Sequence, residues 1–282
     1  MSGTLYVVGT PIGNLDDMPG RAARILCSAD VCYAEDTRRT GTLLARLEAD
    51  VPLRSLHRHN ERSRVDEILA HLARGNSIAL VSDAGTPTVS DPGRLVLGAV
   101  REAGYDVCPI PGPSAILAAL SISGLPADRF SFFGFAPRRG SARAAWIAEL
   151  LGCPHTTIVF EAPGRVGALL EELARAGLAD RHAVLCREMT KLHEEIMAGS
   201  VDELAAEWGP REVRGEVTLV FAGAPPGNEG PDLAVLMDKA RHLSREGLRR
   251  REIADQLAEE CGLSRNEAYR VSLRVGETPS DD

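Results

Sequence analysis

The sequence predicts an α/β protein made of two α/β domains and a small helical C-terminal extension. Three observations predict it. Apolar strand-like runs alternate with helix-periodic segments from the first residues onward, which is the rhythm of βαβ units and a mainly parallel sheet covered on both faces. Each early run ends in a loop rich in Gly, Pro, Asp and hydroxyls, GTPIGNL (9–15) and SDAGTPTVSDPG (82–93) being the clearest. The length, 282 residues, can bury a large core and points to two domains rather than one.

The elements follow in order. Leu5 to Val8 is a strand, and Pro19 to Cys27 has helical spacing. Val31 to Ala34 is the next strand and runs into EDTRRT (35–40). Val65, Ile68, Leu69 and Leu72 share one face of a helix over 65–73. A strand at 77–81, a helix near 93–103, a strand at 107–110 and a helix-like run over 114–123 complete the first domain, 1–123, which ends at the hinge Gly124-Leu125-Pro126. The second domain, 124–227, has strands at 130–133, 156–160, 183–186, 195–197 and 216–221. Some lie close enough in sequence for hairpins, so its sheet is expected to be mixed. AGAPPGNEGPD (222–232) is a linker by composition. The extension, 228–282, carries helical segments at about 232–244, 248–260 and 265–274, the last opening on the capping-box pattern Ser264-Arg265-Asn266-Glu267 after Gly262. Two short helices around a glycine resemble a helix-turn-helix. Only Arg249-Arg250-Arg251 is basic there, so a packing module fits as well as a groove reader.

Composition excludes several classes. The content, 44% hydrophobic and 26% charged, is that of an ordinary water-soluble chain, and the longest apolar run, near 115–120, is too short to span a membrane. No signal peptide is expected from MSGTLYVVGT. Six cysteines (27, 32, 108, 153, 186, 261) form no C-x-x-C pair, which argues against a zinc site or disulfide framework and fits a reducing, cytoplasmic setting. The net charge of −8 means that any polyanion would have to meet local basic clusters. Pro11 stands where G-x-G-x-x-G needs its second glycine, and no Gly-Lys-Ser/Thr follows, so GTPIGNL is neither a dinucleotide fingerprint nor a P-loop. With SDAGTP, PGPSA (111–115) and FEAPGR (160–165) it forms a set of strand-end loops suited to a nucleoside-like ligand without phosphates.

GTPIGNL, EDTRRT, SDAGTPTVSDPG, PGPSA, FSFFGFAPR, FEAPGR, CREMTKLHEE and GEVTLVFAG occur in this order, from Thr4 to about Gly223. Together they resemble the tetrapyrrole-methylase-like (class III) methyltransferases. EDTRRT and SLHRHNE (55–61) resemble the branch that methylates the ribose 2′-hydroxyl of a cytidine in 16S ribosomal RNA of the small subunit. The resemblance implies S-adenosylmethionine in a cleft between the two domains, and a homodimer. By position it assigns Pro11, Ile12, Asp83, Gly85, Thr86, Ser114, Ala115, Phe160, Met189 and Val217 to the cofactor. Phe160 and Met189 would equally serve as core, and Asp83 as a loop cap.

Moving a methyl group from a sulfonium to a ribose hydroxyl calls for positioning and for a general base. Glu35, Asp36, His57, His59 and Glu61 are the candidates, with Asp36, His59 and Glu61 preferred because His59, Asn60 and Glu61 offer an acceptor, an amide and a carboxylate in succession. A solvated polar loop is the bland account of the same residues. Arg38, Arg39, Arg58, Arg62 and Arg64, with Arg138, Arg139 and Arg143 beyond them, are candidates for RNA phosphates. No metal is expected, since no Cys/His cluster has ligand spacing. Methylation of a tetrapyrrole-like small molecule, or RNA binding without catalysis, are the other functions open to such a chain.

Overall fold

The computed structural model describes residues 3–209, 211, 214–225, 233–261, 268–269 and 271–272. The chain forms two compact units, Met1–Gly223 and Ala224–Asp282. The first unit holds two five-stranded sheets.

The first sheet comprises β1 (Thr4–Val8), β2 (Val31–Ala34), β3 (Leu53–Ser55), β4 (Ser77–Val81) and β5 (Asp106–Ile110) in the order β3-β2-β4-β1-β5. Every pairing is parallel, as the βαβ rhythm predicts. Side-chain alternation divides its strands between two cores. Val8, Cys32, Ala34, Ala79 and Val81 face α1 (Gly20–Ser28) and α2 (Thr37–Arg46), which supply Leu26 and Leu44. Leu5, Val31, Tyr33, Ile78 and Leu80 face α3 (Glu61–Ala73) and α4 (Arg94–Glu102), which supply Ile68, Leu72, Val96 and Val100. Two elements were not legible beforehand. β3 is three residues on the sheet edge, and α2 opens on the polar turn that reads as the loop EDTRRT. What starts α2 is the Asp36 side chain, which accepts a hydrogen bond from the Arg38 amide at 2.9 Å.

The second sheet comprises β6 (Phe130–Phe135), β7 (Thr156–Glu161), β8 (His182–Arg187), β9 (Glu195–Ser200) and β10 (Val217–Phe221) in the order β6-β7-β10-β8-β9. It is mixed, as expected: β6 and β7 run parallel, while β7–β10, β10–β8 and β8–β9 are antiparallel. One face packs on α6 (Ser141–Gly152), α7 (Pro163–Leu173) and α8 (Val201–Trp208) through Leu150, Leu169, Leu204 and Trp208. The other face, with Ile158, Val184, Cys186 and Val220, packs on Ile116, Ala119 and Leu120 of α5 (Ala115–Ile122) and on Ile12 from the first sheet's leading loop. That shared core ties the two sheets into one unit.

In the second unit, α9 (Leu233–Arg245) and α10 (Arg250–Cys261) bury Leu236, Ala240, Leu243, Ile253 and Leu257 against one another and against Ala268 and Val271. The capping-box residues 264–267 and Gly262, on which the helix-turn-helix expectation rests, lie outside the described residues. Among the described residues no helix is long and apolar enough to cross a membrane.

Candidate active site

The ends of β1, β2, β4 and β5 open on a cavity of about 440 Å³ whose opposite wall comes from the ends of β7 and β10. Three loops from the first sheet are fastened together to make its floor. Thr10 and Gly85 exchange backbone hydrogen bonds of 2.9 and 3.1 Å, joining GTPIGNL to SDAGTP. Gly9 lies so close to Gly112 of PGPSA that a Cβ on it would stand 2.8 Å from the Gly112 Cα, so only glycines allow this approach. Gly85 has φ +77°, a conformation that favours glycine. Thr88 and Ser90, at φ 75° and 69°, hold the same region without that freedom. Such strained residues tend to gather at functional sites.

Ile12, Asp83, Gly85, Thr86, Ser114, Ala115, Phe160 and Val217 line this cavity, so most of the expected cofactor residues converge there from both sheets. Two do not. Met189 is buried behind the wall in the core shared with Ile12, and Pro11 faces a smaller neighbouring cavity. Phe160 stands at the wall, edge-on to Phe132 with ring centroids 4.9 Å apart. The lining also carries five carboxylates, Glu35, Asp83, Asp91, Glu161 and Glu216, and among the described residues its single cation is Arg39.

Asp83 is held in place rather than loose: one oxygen accepts from the Asp36 amide at 2.9 Å and the other lies 3.6 Å from Arg39. Burial pushes the Glu35 carboxyl up to about 6, with help from the negative charges of Asp91 and Asp83 and against the pull of Arg58 and Arg39. Burial likewise pushes Asp91 up to about 6, helped by Asp83, while the Ser82 hydroxyl and Arg58 act the other way. Asp91 belongs to the SDPG end of the loop, and only the coiling of that loop over the cavity reveals its place; the sequence signal was the second acid of SDAGTPTVSDPG.

None of the three preferred base candidates, Asp36, His59 and Glu61, lines the cleft. Glu61 is buried, and its carboxylate accepts from the amides of Gly93 at 3.1 Å and Leu95 at 2.6 Å. It caps the N-terminus of α4 from the neighbouring helix and is not part of the cavity lining. Asp36 caps α2, and hydrogen bonds and charge from Arg38 hold its carboxyl far below the usual range, which makes it a poor proton acceptor. His59 is exposed and outside the lining, edge-on to His57 at 5.9 Å between centroids. Asn60 turns away to close its own loop, accepting from the His57 amide at 2.8 Å and donating to the Ser55 carbonyl at 3.1 Å. The run His59-Asn60-Glu61 is therefore no constellation.

The arginines divide by partner. Arg38 pairs with Asp36 at 2.6 Å, and Arg58 donates to the Ser90 carbonyl, pinning the loop over the cavity. Arg64 is engaged by Glu67 and the Ser55 carbonyl, and Arg143 by Glu172 and the Pro137 carbonyl. Arg62, Arg138 and Arg139 are exposed and make no ion pair among the described residues. Among those residues no group of three His, Cys, Asp or Glu side chains is placed to hold a metal ion.

A doubly sheeted α/β unit with a cleft at its strand ends matches a known group of transferases. The sequence pattern of the tetrapyrrole (corrin/porphyrin) methylases covers residues 4–205, and the chain belongs to that family. It is 42% identical to ribosomal RNA small subunit methyltransferase I of Synechocystis sp., over 97% of this chain and 98% of that one. It is 44% identical to the protein of the same name in Micromonospora olivasterospora, over 95% of this chain and 86% of that one. Within the family it therefore belongs with the ribosomal RNA small subunit methyltransferase I proteins. The fold is also that of uroporphyrin-III C-methyl transferase from Thermus thermophilus complexed with S-adenyl homocysteine (TM-score 0.56, 21% identity, 78% of this chain and 97% of that one).

Proposed function

We propose that this protein transfers a methyl group from S-adenosylmethionine to the ribose 2′-hydroxyl of a cytidine in small-subunit (16S) ribosomal RNA. The observation that carries the reading is the cleft itself, in which apolar side chains and several carboxylates from both sheets line a space of about 440 Å³. Its residues suit the cofactor. Ile12, Phe160 and Val217 offer the apolar surface an adenine needs, and Asp83 and its acidic neighbours offer charge to a ligand bearing a sulfonium and an ammonium. The cofactor supplies a methyl group already activated on sulfur, so the protein's share is positioning and proton removal.

Glu35 is the group this reading assigns to the proton. It lines the cleft, and a carboxyl held near 6 is ionised at neutral pH yet basic enough to accept a proton from a hydroxyl as the oxygen–carbon bond forms. Asp91 stands in the same lining as a second acceptor. The reading also carries the homodimer and the cytoplasmic setting that the family resemblance implies.

The test is methyl transfer to isolated small ribosomal subunits, with naked 16S rRNA and a tetrapyrrole as comparison substrates and nucleoside mass spectrometry as the readout. The expected product is 2′-O-methylcytidine. A base-methylated nucleoside, or transfer to the tetrapyrrole alone, refutes the reading. Calorimetric titration with S-adenosylmethionine is expected to show weaker binding to Asp83→Ala.

A further inference from the structure

The function proposed above, on which this inference rests, brings a difficulty of charge with it. In an RNA chain the carbon next to the one bearing the 2′-hydroxyl carries the 3′-phosphodiester. A phosphate must therefore enter wherever the reacting hydroxyl enters. The cleft meets it with Glu35, Asp83 and Asp91, carboxylates that repel an anion, while Glu161 and Glu216 in the same lining are paired with Arg165 and Lys191. Among the described residues the one cation in that lining is Arg39.

Arg39 also borders a second cavity, of about 160 Å³, which shares Arg39 and Asp83 with the cleft. One face of α2 makes much of that cavity. Arg39, Leu43 and Arg46 follow at i, i+4 and i+7, and all three line it. Pro11 and Leu15 of GTPIGNL supply an apolar side, with Leu15 left 46% exposed. Arg46 is exposed and makes no ion pair among the described residues. Arg39 is bound only loosely: its contact with Asp83 is 3.6 Å and its side chain is 62% exposed, so an incoming anion displaces little. Asp83 borders this cavity too, but Arg39 stands against its charge.

We propose that this second cavity seats the phosphodiester on the 3′ side of the methylated nucleotide, gripped by Arg39 and Arg46. Guanidinium forks suit the paired oxygens of a phosphate, and the two stand nearly two helical turns apart, about 10 Å along the same face, so that their side chains reach the phosphate from either end of the cavity. Leu15, Pro11 and Leu43 then flank the adjoining nucleoside. The acidic cleft and the basic cavity thus divide the substrate at the ribose: hydroxyl to the carboxylates, phosphate to the arginines.

Arg46 lies outside the cleft lining, so its replacement tests the cavity without touching the cofactor's surroundings. The experiment compares wild type, Arg46→Gln and Arg46→Lys in steady-state methylation of small ribosomal subunits across a salt series, with calorimetry of S-adenosylmethionine alongside. For Arg46→Gln the KM for subunits is expected to rise roughly three- to tenfold, with kcat changed by less than about twofold. Its salt dependence is expected to become shallower by about one unit of slope, with Arg46→Lys keeping most of that slope. Cofactor affinity is expected to be that of wild type. An unchanged KM and salt slope in Arg46→Gln, while the wild type methylates subunits, overturns the phosphate seat and leaves the function standing. Loss of cofactor affinity in Arg46→Gln also overturns it, since the residue would then be supporting the fold. A wild type that methylates no ribosomal RNA overturns the function and this inference together.

Discussion

Glu35 and Asp91 are carboxylates whose environment disfavours their charge, and both lie in the cleft. The sign of the resulting pH dependence is fixed. A proton acceptor must be ionised, so kcat/KM is expected to fall about tenfold per pH unit below about 6 and to level off above it. Glu35→Gln should abolish that limb and lower kcat by roughly 10²–10⁴. The same residue weighs on stability in the opposite sense. A pKa raised by folding means that the native state holds its proton more tightly than the unfolded chain, so stability is lost as pH rises through about 6. Glu35→Gln is therefore expected to stabilise by about 1 kcal/mol at pH 7, discounted for the group's access to water, and by nothing at pH 4. Denaturant melts at the two pH values read this out. Glu61 behaves differently because its carboxylate satisfies the buried start of α4. Glu61→Ala is expected to cost about 2–3 kcal/mol of stability by leaving those amides without an acceptor.

At the level of elements, the cleft depends on three loops whose spacing is set by backbone contact. Gly112→Ala would place a Cβ 2.7 Å from the Gly9 carbonyl oxygen, and both neighbours are backbone that has nowhere to yield. The expected outcome is a loss of about 1–3 kcal/mol with a larger loss of cofactor affinity, seen by calorimetry on the protein that still folds. The strands of the first sheet were legible because burial on both faces makes them continuous apolar runs, as in VCYA and IALV. The helices α2 and α3 were not legible at their starts, since both open on polar turns whose caps, Asp36 and Asn60, look like loop chemistry until the chain is folded. The strand-end loops were legible as a set, yet Asp91 emerged as a site residue only from the way its loop curls back over the cavity.

For the whole molecule, the cleft lies entirely within Met1–Gly223, while Ala224–Asp282 buries a core of its own around Leu236, Leu243, Ile253 and Leu257. Ligand binding stabilises only the unit that binds. Scanning calorimetry is therefore expected to resolve two transitions. S-adenosylmethionine at about 100 times its dissociation constant should stabilise the larger by about 2.7 kcal/mol and leave the smaller unmoved. A single transition that shifts as a whole would show the two units to be energetically coupled.

The sequence by itself determined the α/β class, the parallel first sheet, the mixed second sheet and the loops that build the cleft, because periodicity, apolar runs and Gly/Pro punctuation are local properties. The tertiary structure decided which polar side chains face one another. Glu61 and Glu35 look alike as acids beside basic residues, but one is drawn into the amides of α4 and the other is left facing the cleft. Arg46 is an ordinary helix-end arginine in the sequence, and it lines a cavity with Arg39 only because α2 turns the face they share toward GTPIGNL. Charge acts through distance and dielectric, and both are set by contacts between residues far apart in the chain.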